Sequence, residues 1–148
     1  MNKILILTTL LTIIMISCSK KQDLLVASIP EEYIIIYFND SIQMKKIDKL
    51  KNITEISTLI KKDLGYYFVS ECDTTLYLSI LKDTIIYNRY FNHIYKTKIE
   101  RINSSIFKSS NYFIDDRGDK NFLSSLYYDK NYKIVRYEKS NTVTFVPK

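Results

Sequence analysis

From Glu32 the chain reads Glu-Tyr-Ile-Ile-Ile-Tyr-Phe, a β-branched and aromatic run bounded by Pro30 on one side and Asn39-Asp40 on the other. Such a run predicts a largely buried strand. Asn39-Asp40 is a two-residue turn candidate, and Ser41-Ile42-Gln43-Met44-Lys45 beyond it alternates polar with apolar. The two segments together predict a hairpin. The pattern then changes period. Ile53, Ile56, Leu59, Ile60 and Leu64 fall on one face of a helix, with Lys61, Lys62 and Asp63 on the other. Asn52 and Glu55 have the spacing of a capping box, and Gly65 stands where a helix would stop.

Alternation returns over Tyr66–Ser70, Thr75–Leu81 and Thr84–Tyr90, with Lys82-Asp83 separating the last two, and predicts a meander. Phe91, Tyr95, Ile99, Ile102 and Ile106 recur at helical spacing and predict a second helix over residues 91–107. The rest reads as strand again. Asn111–Ile114 leads into the turn cluster Asp115-Asp116-Arg117-Gly118-Asp119, and Asp129-Lys130-Asn131 and Ser140-Asn141 break the segments that follow. The pattern as a whole predicts one α+β domain over residues 31–148: an antiparallel sheet of hairpins and a meander, with one or two packed helices.

The first twenty residues follow another logic. Met1-Asn2-Lys3 is a short basic start, and Ile4 to Ile16 holds only apolar residues and threonine. As a helix those positions span roughly 20 Å, short of the ~30 Å hydrocarbon core. That length suits the apolar region of a secretory signal peptide over residues 1–17 better than a lasting membrane span. Met15-Ile16-Ser17-Cys18 then resembles the lipobox of bacterial lipoproteins, with Met15 where leucine is usual. The resemblance covers about twenty residues and implies cleavage after Ser17, with Cys18 carrying a diacylglyceryl thioether and an N-acyl chain. One acyl chain binds a bilayer only marginally, whereas two or three hold it stably. The resemblance thus implies a protein anchored by lipid in the bacterial cell envelope. Ser19, rather than aspartate, after the cysteine favours the outer membrane where there is one. Residues 18–30 read as the lipidated cysteine and a short polar linker.

Composition narrows the chemistry. The chain's net charge of +6 falls to +5 without the leader, which holds Lys3 and no acid. The excess is mild, and no basic module with interleaved aromatics appears, so nucleic acid is not an expected partner. There are two cysteines; if Cys18 carries lipid, Cys72 has no intramolecular partner and is expected to be a buried small hydrophobe. The alternative is a small envelope enzyme with Cys72 as nucleophile, His93 as base and Asp73 or Asp83 as orienter. His93 is the only histidine, which leaves too few nitrogen and sulfur ligands for a usual zinc site. Asp115–Asp119 lacks the ligand spacing of an EF-hand and reads as a hairpin loop. No metal or cofactor is expected.

Thirteen tyrosines are the notable surplus. Tyr77, Tyr87, Tyr128, Tyr132 and Tyr137 fall on predicted strands and form the candidate binding surface, since a phenol offers an apolar face with a polar tip. The expected role is therefore a non-catalytic binding or accessory module held to the membrane by its lipid, with an envelope protein or a glycan as partner. An inhibitory, immunity-type lipoprotein neutralising a toxin or envelope enzyme is the nearest alternative.

Overall fold

The computed structural model describes residues 21–70, 73–90, 93–140 and 143–148, and every regular element among them is a strand. In chain order the first six are β1 (Lys21–Val26), β2 (Glu32–Tyr37), β3 (Ser41–Ile47), β4 (Ile53–Lys62), β5 (Gly65–Val69) and β6 (Thr74–Leu78). The second six are β7 (Thr84–Tyr90), β8 (His93–Arg101), β9 (Ile106–Ile114), β10 (Lys120–Asp129), β11 (Ile134–Lys139) and β12 (Val143–Pro147).

Consecutive strands pair antiparallel with one exception. The sheet order is β6-β5-β4-β3-β2-β1-β12-β11-β10-β9-β8-β7, so β1 joins β12 and the sheet ends at β6 and β7. Two six-stranded meanders thus meet along a short ladder, Leu25 opposite Pro147 and Val26 opposite Val146. They curl towards each other into a nearly closed barrel with a seam between β6 and β7.

The expected α+β class is overturned, because both predicted helices are strands. In β4 the residues assigned to the helix's buried face, Ile53, Ile56 and Ile60, are exposed, and Leu59 alone is buried. Ile, Thr and Ser crowd this segment, and β-branching favours the pleated strand over a helix. The second misreading has a geometric cause. Tyr95 and Ile99 are four residues apart, which places them on one face of a strand as well as of a helix. In β8 both point inward together with Thr97, while Lys96, Lys98 and Glu100 point out. Within the span 18–30 expected to be linker, Lys21–Val26 forms β1, held between β2 and β12.

Three hairpins share one turn chemistry. At Asp48, Asp115 and Asp129 the carboxylate accepts the backbone N–H groups two and four residues on. The fourth residue of each loop, Lys51, Gly118 or Tyr132, adopts positive φ. This is a type I turn closed by a left-handed residue. Aspartate supplies the acceptor that the tight loop otherwise lacks.

The barrel interior is apolar. Leu25, Tyr33, Ile35, Ile42 and Leu59 from the first meander pack against Phe107, Leu126, Tyr128, Ile134 and Phe145 from the second. Tyr33 is wedged edge-on between Tyr137 and Phe145, with ring centroids 4.9 and 4.7 Å away. Charge lies outside, where Lys108 and Arg136 sit over the outward Tyr127 ring and both approach Glu138. Apolar inside and charged outside is the reverse of a barrel that spans a bilayer by its strands.

Register fixes the two ends. Lys21 lies opposite Tyr37, and the turns 38–41, 62–65, 101–106 and 129–133 gather at the same end with the link between β6 and β7. There Phe107, Tyr128, Leu78 and Ile134 are buried in the interior. The opposite end carries the loops 27–31, 48–52 and 115–119.

Candidate functional site

The end opposite the start of β1 is open. A cavity of about 490 Å³ opens there, of a size that suits a small organic ligand. Strand bulges shape it. The ladders skip one residue each at Ile56 in β4, Tyr77 in β6, Leu123 in β10 and Val135 in β11. The first three of these line the cavity. A bulge breaks the in-out alternation and re-aims a side chain, so each of these three delivers one extra residue to the interior. In β6 it places Tyr77 beside Leu78 on the inner side, the first facing the cavity and the second fully buried.

The walls are apolar, from Met44, Ile56, Phe68, Leu123 and the rings of Tyr77, Tyr95 and Tyr137. Ile56, Phe68 and Leu123 keep 43%, 38% and 40% of their surface exposed, so the mouth has a greasy rim.

Polar groups converge along the inner strip of the second meander. Asn111 Nδ2 donates to the Tyr77 hydroxyl at 2.7 Å, and Thr97 Oγ1 donates to Asn111 Oδ1 at 2.9 Å. Asn88 Nδ2 donates to Thr75 Oγ1 across the seam. These contacts link β6 to β7 and β9 by side chains where the sheet supplies no ladder. Ser124 lines the same cavity as Tyr77 and Tyr137. Burial pushes the Tyr77 phenol up to about 12, and it raises Tyr137 in the same direction. Both stay neutral donors at physiological pH.

Among the described residues Asp73 is the one charged side chain on the lining, and it sits exposed at the edge, where its carboxylate accepts the Thr74 N–H. Beside the cavity's Met44, β3 carries Lys46, whose ammonium binds Glu31 at 2.9 Å while Lys139 reaches the same carboxylate at 3.2 Å. The Lys46 hydrogen bond is the largest influence holding the Glu31 carboxyl below its usual range. The cluster leaves the mouth neither strongly basic nor strongly acidic.

The five candidate tyrosines part company. Tyr77 and Tyr137 share the cavity. Tyr128 is fully buried at the filled end, and Tyr132 stacks on it at 5.9 Å. Tyr87 is exposed on the outer face of β7, with the Lys96 ammonium over its ring. Sequence reasoning missed Asn88, Thr97, Asn111 and Ser124, which read as ordinary polar strand residues. Only cross-strand pairing brings them together, as Thr97 opposite Asn111 and Ser124 opposite Asn111 show.

Cys18 and Cys72 lie outside the described residues. His93 is exposed at the start of β8, its ring 5.3 Å from that of Phe113. Asp83 cannot orient it. Asp83 precedes β7 and accepts the Arg101 N–H at the filled end, whereas His93 faces Tyr90 at the far end of that strand. The length of β7, roughly 20 Å, separates them. Among the described residues no group of three or more His, Cys, Asp or Glu could hold a metal ion. The sequence and the fold match no protein-family model, no curated protein and no solved structure.

Proposed function

We propose that this is a lipid-anchored envelope protein that binds a small uncharged molecule in the open end of its barrel. The ligand has an apolar body with hydrogen-bonding groups at one side. The observation that carries the reading is the set of three bulges, at Ile56, Tyr77 and Leu123, which all deliver side chains to one cavity. Apolar walls with a few convergent polar groups are the usual build of a ligand site. Tyr77, Asn111 and Thr97 form a neutral donor and acceptor chain that orients the ligand, and Tyr95 and Tyr137 supply faces on which a ring can stack. The lipid on Cys18 supplies the address, and the cavity supplies the task. Catalysis is not part of this reading: apart from Asp73 at the edge, the polar part of the lining is neutral hydroxyls and amides.

Native mass spectrometry of the protein isolated from envelope membranes tests it. The expected result is an acylated chain beginning at Cys18 that carries a non-covalent small-molecule adduct. Ser57→Phe, at an inward position on the cavity wall, should abolish the adduct while leaving the acylation intact. An adduct of unchanged occupancy in that variant sinks the cavity reading. A chain without acyl groups sinks the anchor.

A further inference from the structure

We infer that the filled end of the barrel docks on the anionic surface of the bilayer that holds the Cys18 lipid, so that the cavity opens away from the membrane. The inference rests on the proposed lipid anchor and adds an orientation to it.

Three large apolar residues stand exposed at consecutive loops of this end. Leu64, at 52% exposure, tips the turn between β4 and β5; Leu81, at 63%, lies in the link between β6 and β7; Ile102, at 48%, begins the turn between β8 and β9. The loops touch in sequence. The Gly65 backbone abuts Leu78, the Leu81 N–H donates to Ser79 Oγ at 3.3 Å, and Asp83 accepts the Arg101 N–H at 2.9 Å. Exposed lysines and an arginine, Lys61, Lys62, Lys82 and Arg101, flank the three tips. Against these four cations stand Asp63 and Asp83, with the exposed Asp40 in the adjoining turn 38–41. Leucine or isoleucine at loop tips beside cations is the chemistry of an interfacial contact, in which apolar side chains enter the headgroup boundary and cations meet anionic lipid.

The opposite end also exposes large apolar residues, Leu50 at 73% and Ile53 at 61%, so the position of the tether decides which end is covered. Three residues of extended chain from Cys18 to Lys21 span at most about 11 Å, so the acyl groups are held close to the start of β1. Lys21 sits opposite Tyr37, one residue from the turn 38–41, and the Lys61 N–H bonds to the Asp40 carbonyl in that turn at 2.7 Å. The tether and the apolar tips therefore share one end of the barrel. They occupy different arcs of it, because β1 lies between β2 and β12 while the apolar tips belong to the arc from β4 to β9. Two separated attachments set the tilt of the barrel, which a single point of attachment cannot do. The mouth, rimmed by Ile56, Phe68 and Leu123, then faces the aqueous side.

The chain has no tryptophan, so a single introduced indole reports its own surroundings. The pairing and the core described above lie within residues 21–148, and the chain from residue 18 with a hexahistidine tag before it can be captured on vesicles containing a nickel-chelating lipid. This capture replaces acylation, so the orientation is tested whether or not Cys18 is naturally lipidated. Leu81→Trp probes the filled end, and Ile53→Trp, exposed at the start of β4, probes the opposite end. On vesicles with phosphatidylglycerol and brominated acyl chains, the expected result is a blue shift and loss of at least half the emission for Leu81→Trp, with no change for Ile53→Trp. Adding Leu64→Glu and Ile102→Glu to Leu81→Trp should restore the emission. Equal quenching at both ends, quenching only at Ile53→Trp, or none at either overturns the docking; acylation of Cys18 is judged separately by mass.

Discussion

The Tyr128 hydroxyl serves Ser79 as a missing strand would: it accepts the Ser79 N–H at 3.0 Å and donates to the Ser79 carbonyl at 2.7 Å. The pair joins β10 to the end of β6, where the sheet runs out. Buried backbone groups must find partners, and here one side chain satisfies both. Tyr128→Phe keeps the ring's stacking on Phe107 and Tyr132 but orphans both groups. The expected loss is about 1–3 kcal/mol in urea unfolding. Hydrogen exchange should quicken first around Ser79, and an unchanged midpoint would show that the seam is closed by packing alone.

Alkali should unfold the protein through its tyrosines. Burial raises Tyr33 and Tyr77 to about 12, and lifts Tyr37, Tyr128 and Tyr137 in the same direction. In the unfolded chain these phenols ionise near 10. Their folded pKa values are higher, so the stabilisation is complete below pH about 10 and is lost as pH rises through the folded values. Tyrosinate absorbance should climb together with the loss of sheet signal above pH about 10. A smooth titration near 10 with the fold intact would contradict the burial.

Two glycines should answer the same substitution differently. A Cβ at Gly65 would lie 2.0 Å from the Leu78 carbonyl oxygen, and the backbone there has positive φ. Gly65→Ala must push β5 from β6 and should cost about 3 kcal/mol. Gly118, also at positive φ, has nothing near the new carbon, so Gly118→Ala bears only the conformational penalty of about 1–2 kcal/mol. Thermal unfolding of the two variants side by side checks the contrast.

Ser109 offers a gain. Its Oγ is buried on β9 with no hydrogen-bond partner among the described residues. Ser109→Ala removes an unsatisfied group and little volume, so stability should stay level or rise by up to about 1 kcal/mol. A clear loss in chemical denaturation would mean that an ordered water serves the hydroxyl.

The hairpins were legible because their signals are local. Asn39-Asp40, Asp115–Asp119 and Asp129-Lys130-Asn131 each place turn chemistry between β-rich segments, and all three are turns. Of the candidate site, Tyr77 and Tyr137 were legible as tyrosines on strands, but not as neighbours. They lie sixty residues apart in sequence, and their meeting depends on how the two meanders curl.

The sequence by itself determined the strand-rich composition, the turn positions and the lipobox-like start, because each depends on residues within a few positions of one another. It did not decide between helix and strand at Ile53–Lys62 or His93–Arg101, where spacings of three and four suit a helix and spacings of four also suit a strand. Tertiary structure decided those segments, because a strand, unlike a helix, needs neighbouring strands to satisfy its backbone groups and fix its faces. It also decided the bulges at Ile56, Tyr77 and Leu123, since a bulge is a mismatch between two strands and neither strand records it alone.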